Sequence, residues 1–445
     1  PSAFPSTSAI DQPSPSLSPD STTTPSFSQQ PTAETSASPT LVLPVGWTQL
    51  GESMNGEERS DLFGIAVALS ADSTIMAAGG SLNDEGGTNA GHVRVSRFNR
   101  TTQEWEPRGE SILGEQRLDR FGTNVALSFD GLILAASAPF HDGVAGSDSG
   151  HVRIFRFEED SQTWSQIGDA IDGEAEGDES GTAIALSGDG LTVAIGSVRN
   201  RPDGESITGH VRVFKYDDVL DQWVQQGSDI DGTRADDFWG CSVSLSFDGT
   251  VLAIGSQFYD ANGINSGLVS VFSFNGEDWE LIGNPIPGAN QGETFGTSVS
   301  LSAGGRFVAG GARRGSGPSG EIGSVRVFFY SIASLSWRQI GETVTGKEDD
   351  EEFGVSVSMS ANGSVFAVGA SRSNNGRGLV RVYNSSDDFE WFQVGEDIDG
   401  VAANDYFGSA VALAPLSEVV AVGARFNDDS GTNAGQVRVY RNFLG

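Results

Sequence analysis

The chain has 445 residues, of which 59 are Gly, and its 26 basic and 60 acidic residues give a formal net charge of −34. A field of that sign repels nucleic acid and anionic membrane surfaces and favours cations, basic proteins or neutral ligands. The single cysteine, Cys241, excludes an intramolecular disulfide, and the sequence has no apolar run long enough to span a membrane.

The N-terminal segment differs in composition from the rest of the chain. Residues 1–40 contain 8 Pro, 11 Ser and 7 Thr and have no Lys or Arg. Such a segment cannot bury enough apolar surface to offset its ordering entropy, so we expect residues 1–45 to be disordered. Two interpretations stay open, an O-glycosylated stalk and a plain linker.

From residue 46 onward three landmarks repeat at a fixed period, which is typical of a solenoid or propeller. The first is a tryptophan, at Trp47, Trp105, Trp164, Trp223, Trp279, Trp337 and Trp391. The second is an aromatic-Gly pair, at Phe63-Gly64, Phe121-Gly122, Trp239-Gly240, Phe295-Gly296, Phe353-Gly354 and Phe407-Gly408, with Ser180-Gly181 in the third copy. The third is G-x-V-x-[VI] or a close variant, starting at Gly91, Gly150, Gly209, Gly267, Gly323, Gly378 and Gly435.

Each repeat predicts four antiparallel strands, here called a to d. Strand a follows the aromatic-Gly pair with period-2 alternation, and turns such as Asp130-Gly131 lead into an apolar strand b. Strand c is the G-x-V-x-[VI] segment and strand d carries the Trp. A d strand precedes the first a strand, and the seventh repeat ends after strand c. The sequence therefore predicts an all-β, seven-bladed propeller over residues 46–441, closed by the N-terminal strand joining the last blade.

The repeat pattern F-G…S-V-x-L-S-x-D-G…A-x-G-A…G-x-V-R-V-[FY] resembles the FG-GAP repeat of the integrin α-subunit head. Phe353-Gly354 and Gly369-Ala370 show the elements that give the repeat its name. The resemblance implies an extracellular recognition or adhesion propeller. Many integrin-type repeats also carry a D-x-D-x-D-G calcium loop between strands a and b. Here that connection is a short turn, so those calcium sites are not transferred.

Strand order assigns the loops to two faces of the disc. The d–a and b–c connections share face one, and the a–b and c–d connections share face two. The seven d–a connectors, each 11 residues long, hold 28 acidic and 5 basic residues. They are residues 52–62, 110–120, 169–179, 228–238, 284–294, 342–352 and 396–406.

This acidic face has two interpretations, a solvated surface that aids solubility and a focused field for a cation or basic partner. The candidate partner-binding residues are Glu174, Glu176, Asp178, Glu179, Asp236, Asp237, Glu348, Asp349, Asp350, Glu351 and Glu352.

Three b–c loops share the pattern D-x-x-G-x-N-x-G. Asp and Asn close turns through nearby backbone and Gly supplies positive φ, which explains the pattern without a ligand. Calcium binding by carboxylate and carbonyl oxygens is the alternative. Its candidate ligands are Asp84, Glu85, Asp260, Asp428 and Asp429.

Three N-glycosylation sequons, at Asn99, Asn362 and Asn384, fall in connections assigned to face two. Glycans there would shield face two and leave the acidic face bare. The sequons agree with a secretory route.

The histidines do not predict a catalytic centre. His92, His151 and His210 occupy the same G-H-V-R position in three repeats, which is most simply a scaffold role. The fourth, His141, has no evident ligand set around it in the sequence, and Cys241 is interpreted as a small packed residue.

We therefore expect a non-catalytic, secreted or cell-surface module that binds an extracellular protein or a matrix or cell-wall component. Lectin-like polysaccharide binding, a structural role in an extracellular assembly, and an enzyme with carboxylates at the central opening are the alternatives.

Overall fold

The computed structural model describes residues 46–442, except 203, 205, 316–321, 387–388 and 417. The predicted N-terminal stalk, residues 1–45, lies outside the described residues. Within the described part, seven antiparallel sheets follow one another along the chain, each with four main strands. The prediction of an all-β seven-bladed propeller is confirmed.

The strand bounds follow the repeat. The chain begins with β1 (Trp47–Gln49) and β2 (Met54–Asn55). Blade one holds β3 (Phe63–Leu69), β4 (Ile75–Gly80), β5 (His92–Asn99), β6 (Glu104–Pro107) and β7 (Ile112–Leu113). Blade two holds β8 (Val125–Leu127), β9 (Ile133–Ala138), β10 (His151–Glu158), β11 (Thr163–Gln166) and β12 (Ile171–Asp172). Blade three holds β13 (Ala183–Leu186), β14 (Thr192–Ser197), β15 (His210–Asp217), β16 (Gln222–Gln225) and β17 (Ile230–Asp231).

The remaining blades repeat this order. Blade four holds β18 (Trp239–Leu245), β19 (Val251–Ser256), β20 (Leu268–Phe274), β21 (Trp279–Leu281) and β22 (Ile286–Pro287). Blade five holds β23 (Phe295–Leu301), β24 (Phe307–Ala312), β25 (Ser324–Ser331) and β26 (Ser336–Thr345). Blade six holds β27 (Phe353–Met359), β28 (Val365–Ala370), the helical turn α1 (Ser373–Gly376), β29 (Leu379–Ser385), β30 (Trp391–Gln393) and β31 (Ile398–Asp399). Blade seven holds β32 (Phe407–Leu413), β33 (Val419–Ala424) and β34 (Gln436–Asn442).

The ring is closed by the N-terminal strand. β1 pairs antiparallel with β34, from Trp47 opposite Asn442 to Gln49 opposite Tyr440, and so serves as strand d of blade seven. The short strand β2 then pairs with the other end of β34. The predicted closure is confirmed, and it leaves strand c of blade seven covered on both edges.

The seven tryptophans tie each outer strand to the outer strand of the preceding blade. Every indole Nε1–H donates to a backbone carbonyl at the end of the preceding d strand, at 2.8 to 3.3 Å. Trp105 of blade one, for example, donates to Leu50 O of blade seven. Each indole also lies against a glycine beside that carbonyl, such as Gly51, whose φ is +73°. The repeated tryptophans therefore have a structural role, since each joins two neighbouring blades.

The other two landmarks meet at the blade interfaces. Gly91 of strand c forms a parallel bridge with Phe121 of the next blade, and Gly435 does so with Phe63 across the closure. A Cβ at Gly91 would collide with the Phe121 backbone. The aromatic side chains themselves are almost fully buried between blades. Trp239, which replaces the usual Phe, is 7% exposed and donates its indole N–H to Ile230 O, so it belongs to the core.

On face two the a–b turns form a nearly complete ring of backbone hydrogen bonds. Six consecutive bonds link seven turns, from Ala71 N–H to Phe129 O round to Ala361 N–H to Pro415 O. The seventh is absent because proline has no N–H. These turns narrow the central opening to a cavity of about 140 Å³ lined by aliphatic and aromatic side chains, Ser hydroxyls and backbone.

Closure by β1 gives the first prediction. Removing residues 46–51 deletes strand d of blade seven, the Trp47 indole bond and the Trp105 acceptor. We expect the shortened chain to lose cooperative unfolding or to unfold at a much lower temperature than a chain that begins at residue 46. Circular dichroism during thermal unfolding measures this. Equal stability of the two chains would show that the ring does not depend on its closing strand.

Candidate functional site

Face one is built from connectors that straddle two blades. Connector 110–120 pairs with strand c of blade one through β7, and its Leu118 N–H donates to Thr88 O in the b–c loop of that blade. Its acidic side chains then reach residues of blade two. The connectors and the b–c loops thus share one face, as the strand order predicts.

A carboxylate near the end of each connector is buried. These residues are Asp61, Asp119, Asp178, Asp237, Glu293, Glu351 and Asp405, each at most 4% exposed. In six of the seven, a carboxylate oxygen accepts one or two backbone N–H bonds from the residues three or four positions earlier, as Asp61 does from Glu57 and Glu58. These carboxylates close the connector turns. In the sequence they are visible as an acidic residue that recurs near the end of all seven connectors.

Arginines on strand c neutralise further connector carboxylates. Arg94, Arg153 and Arg212 lie 3.1 to 3.4 Å from Glu57, Glu115 and Glu174 respectively. Arg381, 2% exposed, pairs with the fully buried Glu351 at 2.7 Å and with Asp397 at 3.0 Å. Part of the negative charge of the connectors is therefore paired with arginine within the fold.

The eleven predicted partner-binding residues divide by exposure. Three are buried, Asp178, Asp237 and Glu351, so their carboxylates face the connector interior and not a partner. Two are half-buried and lie near arginines, Glu179 at 3.1 Å from Arg199 and Glu352 at 3.9 Å from Arg372. The exposed ones are Glu174, Glu176, Asp236, Glu348, Asp349 and Asp350.

Three of the exposed carboxylates border one groove. Glu348, Asp349 and Asp350 lie with Asn404 and Tyr406 around a space of about 610 Å³. The helical turn α1 supplies two further amides, from Asn374 and Asn375, and both residues have positive φ. The groove thus combines two connectors and the b–c loop of blade six. It offers three carboxylates, three amides, one phenol and the Arg372 guanidinium to a ligand on face one.

The predicted calcium ligands mainly close their own loops. One carboxylate oxygen of Asp84, Asp260 and Asp428 accepts the backbone N–H five residues later, at 2.7 to 2.8 Å. The other oxygen of Asp260 lies 3.1 Å from Arg234, and Asp429 accepts from Gln436 at 2.8 Å. Glu85 lies instead near Glu57 and His92. Turn closure explains these loops, and calcium binding stays a prediction.

The a–b turns do not fit the calcium loop of the resembling repeats. In the first blade Asp72 accepts from the Ser70 hydroxyl and the Thr74 N–H, which closes a turn of five residues. Asp130, Asp189 and Asp248 repeat the bond to a preceding serine. These carboxylates are used inside the turn.

The sequons lie at the face-two ends of the blades. Asn99 ends β5 and donates to Glu106 Oε1, Asn362 lies in an a–b turn, and Asn384 is exposed near the end of β29. Their modification stays a prediction.

The structure places His141 in a cluster that the sequence did not reveal. Its Nδ1 lies 3.2 Å from Asp119 Oδ2, and its ring stacks on His151 with centroids 3.9 Å apart. Hydrogen bonding to Asp119 raises the pKa of His141. Burial, together with the positive charges of His141 and Arg153, lowers the pKa of His151 to about 2. The expectation that His141 lacks potential ligand neighbours is wrong, because the folded b–c loop and a connector bring them to it.

Cys241 is held by the backbone. Its Sγ contacts Gly255 O and Gly296 O at 3.5 Å, and burial raises the pKa of the thiol to about 11. It is therefore a thiol at neutral pH, as expected of a packed residue.

Comparison with known proteins supports the class of protein. Residues 399–440 match the model of the FG-GAP repeat. No curated protein is significantly similar to the chain in sequence. The match covers one of the seven repeats, and with the seven blades of the ring it makes the chain an FG-GAP-like seven-bladed β-propeller.

Solved structures share the fold at low identity. A structure named "putative 6-phosphogluconolactonase" from Bacteroides uniformis is 15% identical, with a TM-score of 0.52 over 76% of this chain and 85% of that one. A structure named in the same way from Bacteroides fragilis is 12% identical, with a TM-score of 0.49 over 76% of this chain and 84% of that one. Identity at this level shows the fold alone. Among the described residues, no helix is long and apolar enough to cross a membrane.

Asp237 gives the second prediction. Burial raises the pKa of this carboxyl to about 6, and its Oδ2 has no hydrogen-bond partner. The folded state therefore binds this proton more tightly than the unfolded chain does. The free energy of unfolding accordingly falls as the pH rises from about 4 to 6, and the full loss is present above about pH 6. We expect Asp237→Asn to raise the free energy of unfolding at pH 7.5 by about 1–3 kcal/mol and by much less at pH 4.5.

The matched control is Asp61→Asn, which removes a carboxylate that accepts two N–H bonds. It should lower the free energy of unfolding by about 1 kcal/mol. Denaturant unfolding at both pH values measures the two variants. Destabilisation by Asp237→Asn at pH 7.5 would contradict the assignment of an unfavourable buried carboxylate.

Proposed function

We propose that this propeller is a non-catalytic binding module of the cell surface or extracellular space, which recognises a basic segment of a protein or matrix partner on face one. The observation that carries the proposal is the groove beside Glu348, Asp349 and Asp350. Most other connector carboxylates near it are buried or paired, whereas these three are exposed.

The charge and shape of the groove favour a cationic segment of a polypeptide. Its three carboxylates are consecutive in sequence, and Arg372, the one arginine among its described lining residues, lies 3.9 Å from Glu352. Asn375 and Asn404 can hydrogen-bond a peptide backbone. A surface charge of this kind accelerates encounter and selects the sign of the partner.

A binding role also agrees with the lining of the central opening. The cavity on face two has no Asp, Glu, His, Lys or Arg among its described lining residues. An enzyme with carboxylates at that point is therefore disfavoured. The thiol of Cys241, with a pKa of about 11, is a poor nucleophile at neutral pH.

The second candidate is a lectin-like role. The amides of Asn374, Asn375 and Asn404 beside the Tyr406 ring are groups that bind sugar hydroxyls and ring faces. An array of cell-wall and matrix glycans tests this candidate, since glycan binding without peptide binding would favour it.

The third prediction concerns Glu348→Lys with Asp349→Lys. This pair reverses the groove charge and spares Asp350, whose φ of +61° suits Lys poorly. We expect the variant to lose at least tenfold in affinity for Lys/Arg-rich peptides, with the greatest loss at low salt. Fluorescence anisotropy with a peptide panel of graded charge measures this.

The matched control is Glu158→Lys with Asp160→Lys. Both residues are exposed on face two, Glu158 at the end of β10 and Asp160 in the c–d connection that follows, so the net charge changes equally while the groove is untouched. An equal loss in both variants would reduce the effect to overall charge. Unchanged binding in the groove variant would refute recognition at this face.

A further inference from the structure

One polar cluster on face one has no part in the groove. It joins connector 110–120 to blade two, where Glu115, His141 and His151 each bring one potential ligand atom to within 4.8 Å of the others. His151 begins β10, His141 lies in the b–c loop of the same blade, and Glu115 arrives from the connector. Three separate segments therefore converge on one point.

The two imidazoles are buried, and their nitrogens are incompletely satisfied. His141 and His151 are 6% and 1% exposed. Among the residues that the structure describes, the Nε2 of His151 has no hydrogen-bond partner, and its Nδ1 lies 4.0 Å from Asp172. The only side chain near His141 Nε2 among its described hydrogen-bond partners is the Gln116 amide, at 3.5 Å. Leaving buried polar nitrogens unpaired costs free energy, which a ligand can recover.

The charges around the cluster suit a divalent cation. Glu115, Asp119 and Asp172 supply three negative charges and Arg153 one positive charge, with Arg153 3.2 Å from one oxygen of Glu115. Asp119 Oδ2 lies 3.2 Å from His141 Nδ1, which leaves Nε2 of His141 as the atom that can bind a metal. Metal-binding histidines commonly have such a carboxylate on the second nitrogen.

Blades one, three and seven show what is particular to blade two. At the position of His141 they carry Asn83, Asn200 and Asn427. The amides of Asn200 and Asn427 donate to the buried connector carboxylates Asp178 and Asp405, at 3.2 and 2.9 Å. An asparagine amide thus supplies the contact that His141 Nδ1 makes with Asp119, so the second ring nitrogen of His141 is not needed for this contact.

We propose that Glu115, His141 and His151 form a site for a divalent transition metal of the Zn²⁺ type. Two imidazoles and one carboxylate are a donor set that Zn²⁺ accepts, whereas Ca²⁺ and Mg²⁺ prefer oxygen donors alone. The clusters of blades one and three, Glu57–Glu85–His92 and Glu174–His210–Asp229, have one histidine each and are poorer in nitrogen.

Binding requires a modest local change. Tetrahedral zinc with ligand atoms at about 2.0–2.1 Å needs those atoms about 3.4 Å apart from one another. Ligand atoms that now lie within 4.8 Å of one another must therefore approach by up to about 1.4 Å. The Glu115 side chain is 48% exposed but one of its oxygens is paired with Arg153, so the carboxylate must turn its other oxygen to the metal or give up that pair, and the stacked rings must tilt. With three protein ligands, the fourth position is open to water or to an acidic group of a partner. The ion would fix the connector onto blade two.

The experiment uses the full chain, freed of metal by chelation and titrated with Zn²⁺ in excess Ca²⁺ to occupy weak carboxylate sites. We expect one equivalent of Zn²⁺ to bind by calorimetry, and Co²⁺ to give the visible absorption of a tetrahedral site. His141→Asn should weaken Zn²⁺ binding at least tenfold and abolish the Co²⁺ signal. Its metal-free thermal unfolding should match wild type, because Asn fits this position in blades three and seven.

His210→Asn is the matched control, since His210 occupies the strand position of His151 in blade three. It should leave the stoichiometry and affinity for Zn²⁺ unchanged. The proposal is overturned if no saturable Zn²⁺ binding survives excess Ca²⁺, if His141→Asn binds as wild type does, or if His210→Asn causes an equal loss. Each outcome is independent of peptide binding at the groove of blade six.

Discussion

The indole hydrogen bond between successive outer strands is the constraint on which the ring depends. A four-stranded blade has two apolar faces and gains stability only by stacking between neighbours. The seven Trp Nε1–H bonds set the position of each outer strand against the one before it. Because Trp47 donates to Val394 O, the same bond also spans the junction where the chain ends meet. The strand that closes the sheet therefore also completes the outer ring of hydrogen bonds.

The inner side of each interface uses backbone contact. Glycines of strand c approach the aromatic-Gly segment of the next blade so closely that a Cβ would collide with it. Aromatic rings then fill the space between the sheets, and strand-c arginines such as Arg94 lie over them, 3.8 Å from the Phe63 centroid. The guanidinium groups in turn bind connector carboxylates. The arginines thus link the packing of the blades to the charge of the connectors, because the connector carboxylates pair with guanidinium groups that the packing buries.

This coupling changes how the negative charge of face one is interpreted. The connectors carry most of the charge imbalance, yet six of the seven give one carboxylate to their own turn, and several pair a carboxylate with an arginine. What remains is concentrated locally. The groove at Glu348–Asp350 offers exposed oxygen atoms to a cationic segment, whereas the pair His141–His151 offers buried nitrogen to a metal ion. Two neighbourhoods of one face therefore have different chemistry.

The sequence by itself determined the strands, the seven blades and the closure, because the 54- to 59-residue period and the offset of one strand can be read directly along the chain. The sequence also assigned the loops to the two faces, since successive connections of an antiparallel blade lie alternately at opposite ends of its strands. Tertiary structure decided which carboxylates are exposed. Glu348 and Glu351 are alike in sequence, but only the second accepts backbone N–H bonds and Arg381. It also decided that His141 meets His151 and Glu115, because these residues belong to a loop, a strand and a connector whose approach depends on packing between two blades.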